Sequence, residues 1–283
     1  MKRVPTLPAA PAEFVAFCDA NPDLHELPAD QASSAWNQLR NRAPDALNAL
    51  YRELAAIQQG LCGYCEQRLV KSDGELVYAD YQIEHVLPKS GSTGRALDWK
   101  NLMLACGGGS YKHHDDPSRY LSGRDNLSCG QAKADDVLPP GIDPRGFPWR
   151  ERVVDIVSDG RMIPNESACR AVGIDPDSLE QYIETTLNLN AERLKRIRGE
   201  VYKNLVKWQV PILEEALEGN LSEEQKTTMR DLLVAARLQP DKHGALNRFW
   251  TTERACLPGA DAWISTHPEY FGFDCAIESA DSS

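Results

Sequence analysis

The amino-acid sequence predicts an α+β protein in which a small region of strands and loops is embedded in a mainly α-helical body. Residues 33–60 and 176–238 carry apolar side chains at the three- and four-residue spacing of helices. Residues 60–105 instead break into short apolar runs separated by turn sequences such as Asp73-Gly74, which is typical of short strands. Four of the eight cysteines fall in or beside this middle region, where they could bind a metal.

The composition sets limits on the class of protein. The chain has 283 residues, of which 42% are hydrophobic and 26% charged, so we expect an ordinary globular core and exclude wholesale disorder. No apolar run reaches the roughly 18 residues of a membrane span. The basic first residues lack the apolar stretch of a secretory signal, which predicts a cytoplasmic location. The formal net charge is −11, so contact with nucleic acid requires a local basic surface or a basic partner.

Three segments follow from these patterns: an N-terminal helical lead-in (1–59), a core that holds four of the eight cysteines (60–150), and a hairpin with a C-terminal helical region (151–283). The lead-in contains a short predicted helix near residues 12–19 and a longer helical stretch that Pro44 interrupts or starts. These boundaries place the chemistry-bearing residues in the middle segment.

The third segment has the clearest signals of secondary structure. A turn at 158–160 joins two predicted strands. The most regular helix is predicted over 176–209, with Asp175 as its N-cap. A second helix is predicted from Pro211, and a third from Ser222, which can form a capping box with Gln225.

The cysteine spacing indicates a zinc site. Cys62 and Cys65 are separated by two residues, so a tight turn can bring both thiolates to one ion. Cys106 and Cys129 are the natural second pair, although a long loop separates them. A redox dithiol, or two unrelated buried thiols, is the alternative interpretation of the same spacing.

Glu84 and His85 follow a short predicted strand at 81–83 and are candidates for catalysis. An imidazole near its ordinary pKa can activate water as a general base, and an adjacent carboxylate can bind a divalent cation. Asn101 could bridge the loop and hold the backbone of His85 in place. Two alternatives remain open: a structural role for the histidine, and a helix-capping role for Asn101.

The segments CGYCE, IEHVLPKS, DWKNLMLAC and CGQAKAD resemble the HNH endonuclease superfamily. They look most like the group that includes PtuB, the nuclease of the Septu anti-phage defence system and of related retron systems. The resemblance covers about residues 50–205. It implies a ββα-metal (HNH) core with a zinc knuckle, embedded in a mainly α-helical body.

The resemblance also implies residue roles. His85 would be the general base, Glu84 the ligand of Mg²⁺ or another catalytic divalent cation, and Asn101 the residue that orders the loop. Structural zinc would be held by four thiolates, those of Cys62, Cys65, Cys106 and Cys129. One departure stands out: many HNH cores have an Asn or His ligand where this chain has Gly130.

The second ligand for the catalytic cation is therefore open. Gln131, Asp135, His113 or His114 could supply it. Alternatively, Glu84 could hold the ion with backbone oxygens, water and substrate, since Mg²⁺ keeps several waters in protein sites.

The implied function is metal-dependent hydrolysis of nucleic acid, with DNA favoured over RNA, as the effector of an anti-phage defence system. The resemblance implies a PtuA-like ATPase as partner. The alternatives are a nuclease that cuts transfer RNA in the same kind of defence, and a catalytically dead, zinc-stabilised binding module, which the departure at Gly130 motivates.

Candidate contacts with nucleic acid are Lys89, Lys133, Arg193 and Arg196. The last two lie in residues 192–209, which hold six basic and two acidic residues. A solvated helix face is the alternative explanation of that run.

Overall fold

The computed structural model describes residues 1–114, 116–219 and 221–271. Its strands are Gln82–His85 (β1), Leu102–Ala105 (β2), Val154–Ile156 (β3) and Met162–Pro164 (β4). Its α-helices are Ala12–Ala20 (α1), Ala32–Arg42 (α2), Pro44–Ile57 (α3), Gly130–Lys133 (α4), Glu166–Ala171 (α5), Pro176–Gln181 (α6), Glu192–Asn204 (α7), Val210–Leu217 (α8), Glu223–Leu238 (α9), Trp250–Cys256 (α10) and Ala260–Thr266 (α11). The described residues are thus mainly helical with two small sheets, as the sequence predicts.

The lead-in packs directly on the middle segment. Pro44 occupies the first position of α3, where its missing N–H costs no hydrogen bond, and Leu50 and Leu54 of this helix are buried. Gln58 follows the helix, and its side-chain amide bonds both the N–H and the carbonyl oxygen of Leu104, at 2.7 and 2.8 Å. The lead-in therefore fixes the position of β2.

Strands β1 and β2 form an antiparallel pair in which Glu84 faces Met103 and His85 faces Leu102 across the ladder. Every residue of β2 is buried, whereas residues 82–84 of β1 are partly exposed. Glu84 and His85 lie inside the strand, one to two residues beyond the predicted end. Of the short apolar runs that suggested strands, the one at 76–78 forms only a single bridge, between Val70 and Leu76.

The hairpin of the third segment is confirmed, with β3 and β4 antiparallel around the predicted turn. Gly160 in that turn has φ of +87°, and a Cβ there would lie 1.9 Å from the carbonyl oxygen of Lys195. Only glycine allows this turn to lie so close to α7.

The prediction of one continuous helix over 176–209 is wrong, because the structure has a break within it. The chain runs through α6 and a π-helical turn to Thr186, and α7 starts only at Glu192. Between them, Asn188 has φ of +45°, and the Asn190 side chain bonds both backbone groups of Met162. The apolar spacing continues across the break because both sides face the same core. The predicted N-cap Asp175 and the capping box of α9 are confirmed.

Two hydrophobic clusters hold the described residues together. The larger one draws residues from all three predicted segments, from Val4 through Leu104 to Leu194. The smaller one lies around Trp250 and Trp263 in the C-terminal helices. Within the part of the chain that the structure describes, no helix has both the length and the apolar character to cross a membrane.

Candidate active site and cysteine cluster

The four cysteines predicted to bind zinc lie together in the structure. The Sγ atoms of Cys62, Cys65, Cys106 and Cys129 all lie within 4.8 Å of one another, and all four residues are buried. Measured separations are 4.0 Å for Cys62–Cys129, 3.6 Å for Cys65–Cys106 and 3.7 Å for Cys106–Cys129. A tetrahedron with Zn–S bonds of about 2.3 Å has S···S edges of about 3.8 Å.

These thiols are free of disulfide bonds, and their spacing fits one zinc ion. The backbone N–H of Cys106 also donates to Cys62 Sγ at 3.2 Å, which is the kind of bond that stabilises a thiolate ligand. Cys62 and Cys65 precede β1, Cys106 follows β2, and Cys129 precedes α4. A zinc ion at this point would tie both strands and α4 together. Cys275 lies outside the described residues.

Glu84 and His85 line one cleft of about 170 Å³. Successive residues of a strand usually point to opposite faces, yet both side chains reach this space because it lies at the end of β1. The other cleft residues come from α2, β1 itself, the loop after β1, and α4 with the residues that follow it; they are Trp36, Gln82, Ile83, Pro88, Lys89, Gly130, Gln131, Lys133, Ala134 and Asp135.

His85 has the chemistry of a neutral base. Burial lowers the pKa of its imidazole to about 4, so the ring is uncharged at neutral pH. Its Nε2 lies 3.0 Å from the carbonyl oxygen of Ala96. A neutral ring that donates from Nε2 leaves Nδ1 as the acceptor. The ring also contacts Trp36 of α2 edge-on, with centroids 4.8 Å apart.

Asn101 clamps the chain just after His85. Its Oδ1 accepts from the N–H of Leu87 and its Nδ2 donates to the carbonyl oxygen of Leu87, each at 2.8 Å. This is the loop-bridging contact expected from the sequence. The capping alternative does not hold, because Asp98 caps the short 3₁₀ turn that Asn101 ends.

Within the described part of the chain, Glu84 is held through one carboxylate oxygen, Oε1. Its Oε1 accepts from Lys133 Nζ at 3.0 Å and from the Tyr64 hydroxyl at 3.4 Å. Burial raises the pKa of the Glu84 carboxyl, and the Lys133 ammonium opposes that rise. A Cβ at position 130 would lie 2.3 Å from Oε2, so the absence of a side chain at Gly130 makes room for this oxygen.

Two of the predicted nucleic-acid contacts are wrong. Lys133 is 1% exposed, and its ammonium bonds Glu84 and the carbonyl oxygen of His85. Arg193 is also 1% exposed, and its guanidinium donates to the backbone oxygens of Asn126 and Ser118 at 3.0 and 2.9 Å. Protein atoms cover both cations and supply their hydrogen-bond partners, so neither presents an exposed charge to a phosphate.

Lys89 and Arg196 remain predictions, and their positions differ. Lys89 is partly exposed and lines the cleft, whereas Arg196 is exposed on α7. The segment 192–209 therefore exposes fewer positive charges than its sequence indicates, since Arg193 and Arg198 are both buried.

The candidates for a second cation ligand differ in their distance from the cleft. Gln131 and Asp135 line the cleft. His113 and His114 instead contact the ring of Tyr111, and neither is among the described residues around the cleft. Trp36 is a cleft residue that the sequence does not reveal, because a partly exposed tryptophan on an amphipathic helix gives no signal that separates it from a core residue.

Comparison with known proteins identifies the class. Residues 62–107 match the family described as HNH endonuclease. This stretch contains three of the four cysteines and the whole of β1 and β2. The protein therefore carries an HNH endonuclease domain and is an enzyme of the nuclease class.

A more specific likeness is to one protein of Escherichia coli. That protein is named "Retron Ec83 putative HNH endonuclease". It is 28% identical to this chain over 197 residues, which cover 60% of this chain and 71% of the relative. The predicted likeness to PtuB is finer than these matches and stays a prediction.

Proposed function

We propose that this protein is a metal-dependent endonuclease that hydrolyses phosphodiester bonds, with DNA as its substrate. One observation carries the proposal: a neutral imidazole and an adjacent carboxylate line the same cleft, next to a cysteine cluster of zinc-site dimensions. The proposal is supported by the HNH family match over residues 62–107, a stretch that includes both residues.

His85 acts as the general base in this proposal. Its Nδ1 takes a proton from the attacking water, and Ala96 and Trp36 fix the ring for that transfer. Asn101 keeps the chain after His85 in one conformation. Lys89, at the cleft edge, binds a neighbouring phosphate.

Glu84 presents Oε2 to a divalent cation, with Mg²⁺ as the natural ion for an all-oxygen site. The bound cation supplies positive charge that stabilises the charge developing on the phosphate and its leaving oxygen. Gln131 and Asp135, which line the same cleft, can contribute further oxygens. The four cysteines hold structural zinc, and β1, β2 and α4 form the ββα-metal core.

We further propose that the enzyme is the effector of an anti-phage defence system and acts with a PtuA-like ATPase. The support is the sequence resemblance and the retron in the name of the Escherichia coli relative. The net charge of −11 favours a partner that presents nucleic acid, because the acidic enzyme attracts polyanions weakly by itself.

The test is a cleavage assay with duplex DNA and transfer RNA, with Mg²⁺ or EDTA, and with or without a PtuA-like ATPase. We expect wild-type enzyme to cut DNA only with Mg²⁺, and His85→Ala to lose at least ~100-fold in rate, in the range typical of general bases. His243→Ala is the matched control, because His243 is exposed and lies outside the cleft. Cleavage of RNA alone would refute the assignment of DNA, and an active His85→Ala would refute the assignment of the base.

A further inference from the structure

We infer that Lys133 is a positioning residue of the active site, which fixes Glu84 so that a single carboxylate oxygen, Oε2, faces the cleft. The inference rests on the proposed function, since it concerns the same site. It replaces the role that the sequence indicates for this lysine, a contact with phosphate.

The contacts of Lys133 favour this role. Its Nζ donates to Glu84 Oε1 at 3.0 Å and to the carbonyl oxygen of His85 at 3.1 Å. One ammonium thus joins the carboxylate and the backbone of the two neighbouring site residues. Because the side chain is 1% exposed, the charge is committed to these partners rather than to a ligand in the cleft.

Tyr64 supports the same oxygen from the other direction. It lies between Cys62 and Cys65, is fully buried, and places its hydroxyl 3.4 Å from Glu84 Oε1. Lys133 lies on α4, which starts directly after Cys129. Both partners of Oε1 are therefore attached to the cysteine cluster, so the geometry of the cluster sets the orientation of the carboxylate.

The remaining oxygen, Oε2, has no hydrogen-bond partner among the residues that the structure describes. It points toward the space left by Gly130. A carboxylate locked through one oxygen and open at the other is suited to bind a cation through a single bond. Lys133 and Tyr64 thus orient the carboxylate before a cation binds at Oε2.

Steady-state kinetics of Lys133→Met and Lys89→Met separate positioning from phosphate binding. For Lys133→Met we expect kcat to fall at least ten-fold, with KM and its salt dependence close to wild type. For Lys89→Met we expect a higher KM and a salt slope reduced by about one. Lys133→Arg should recover part of kcat, because it retains a donor near Glu84. Higher KM and a shallower salt slope for Lys133→Met, with kcat retained, would overturn the inference.

A second pair of variants keeps the inference testable if Lys133→Met fails to fold, which zinc content and a melting curve would show. Tyr64→Phe removes the hydroxyl that contacts Glu84. Tyr182→Phe is its control, because the Tyr182 hydroxyl is buried without a hydrogen-bond partner among the described residues. We expect kcat to fall several-fold in the first variant only, and equal activity in both would overturn the inference. Wild-type and His85→Ala arms show separately whether the proposed function itself holds.

Discussion

Replacing Gly130 by alanine tests the geometry of Glu84 with a single methyl group. A Cβ at this position would lie 2.3 Å from Glu84 Oε2 and 2.8 Å from Gln82 Nε2. Gln82 can move, but Glu84 is tied through Oε1 to Lys133 and Tyr64. The carboxylate must therefore give up its hydrogen bonds or turn Oε2 out of the cleft.

The expected loss of kcat follows from the strength of the hydrogen bonds to Glu84. A hydrogen bond to a charged group contributes about 1.5–3 kcal/mol. If that energy is lost from the transition state, kcat falls about 10- to 150-fold. Folding stability should fall by at most a similar ~1.5–3 kcal/mol, because the hydrogen bonds of Glu84 Oε1 are native contacts that the methyl group puts under strain.

The assay is cleavage under saturating Mg²⁺ and substrate, together with a melting curve. Gly219→Ala is a matched control, because a Cβ there meets nothing closer than 3.6 Å. Gly130→Asn is the more informative variant, since it supplies the ligand that many HNH cores carry. We expect it to be less active than wild type. If either variant at position 130 cuts as fast as wild type, Glu84 is not held as described.

The remaining predictions concern stability, metal content and pH. Asn101→Ala should destabilise the protein by about 1–3 kcal/mol and abolish cleavage, because both backbone groups of Leu87 lose their partners; denaturant melts and activity check this. Arg193→Met should also cost about 1–3 kcal/mol, whereas exposed Arg196→Met should leave the free energy of unfolding within ~0.5 kcal/mol of wild type. Atomic absorption should find one zinc per chain, and stripping it with a chelator should lower Tm sharply. Burial raises the pKa of Glu253 from 4.5 to about 7. The stability that the protonated carboxyl contributes is therefore complete below pH 4.5 and is lost as the pH rises through 7. Glu253→Gln should reduce this dependence of Tm on pH, which melting curves recorded across the range would show.

Local chemistry made much of the fold predictable. Asp175 and Ser222 are predictable as N-caps because a short polar side chain before a helix accepts hydrogen bonds from the free N–H groups of its first turn. The hairpin at 154–164 was readable because its turn needs a residue with positive φ, and Gly160 provides one. The zinc-like cluster was predictable from the Cys62–Cys65 spacing, although only the fold shows that Cys106 and Cys129 complete it.

Long-range pairing was not predictable. Lys133 and Glu84 are 49 residues apart, and no pattern in either neighbourhood says that one neutralises the other. Arg193 belongs to a basic run that predicts a solvent-exposed helix face, yet its hydrogen-bond partners lie in the loop around Ser118 and Asn126. The break at 187–191 is equally hidden, because the apolar spacing on both sides is set by burial and not by continuity of the helix.

The most direct test of the account is to locate the catalytic cation in crystals of His85→Ala grown with Mn²⁺ and DNA, by anomalous scattering. The account predicts a peak about 2.1 Å from Glu84 Oε2, on the cleft side that Gly130 leaves open, with the scissile phosphate beside it. A cation bound elsewhere, with Glu84 still paired to Lys133 and no ion at Oε2, would contradict it.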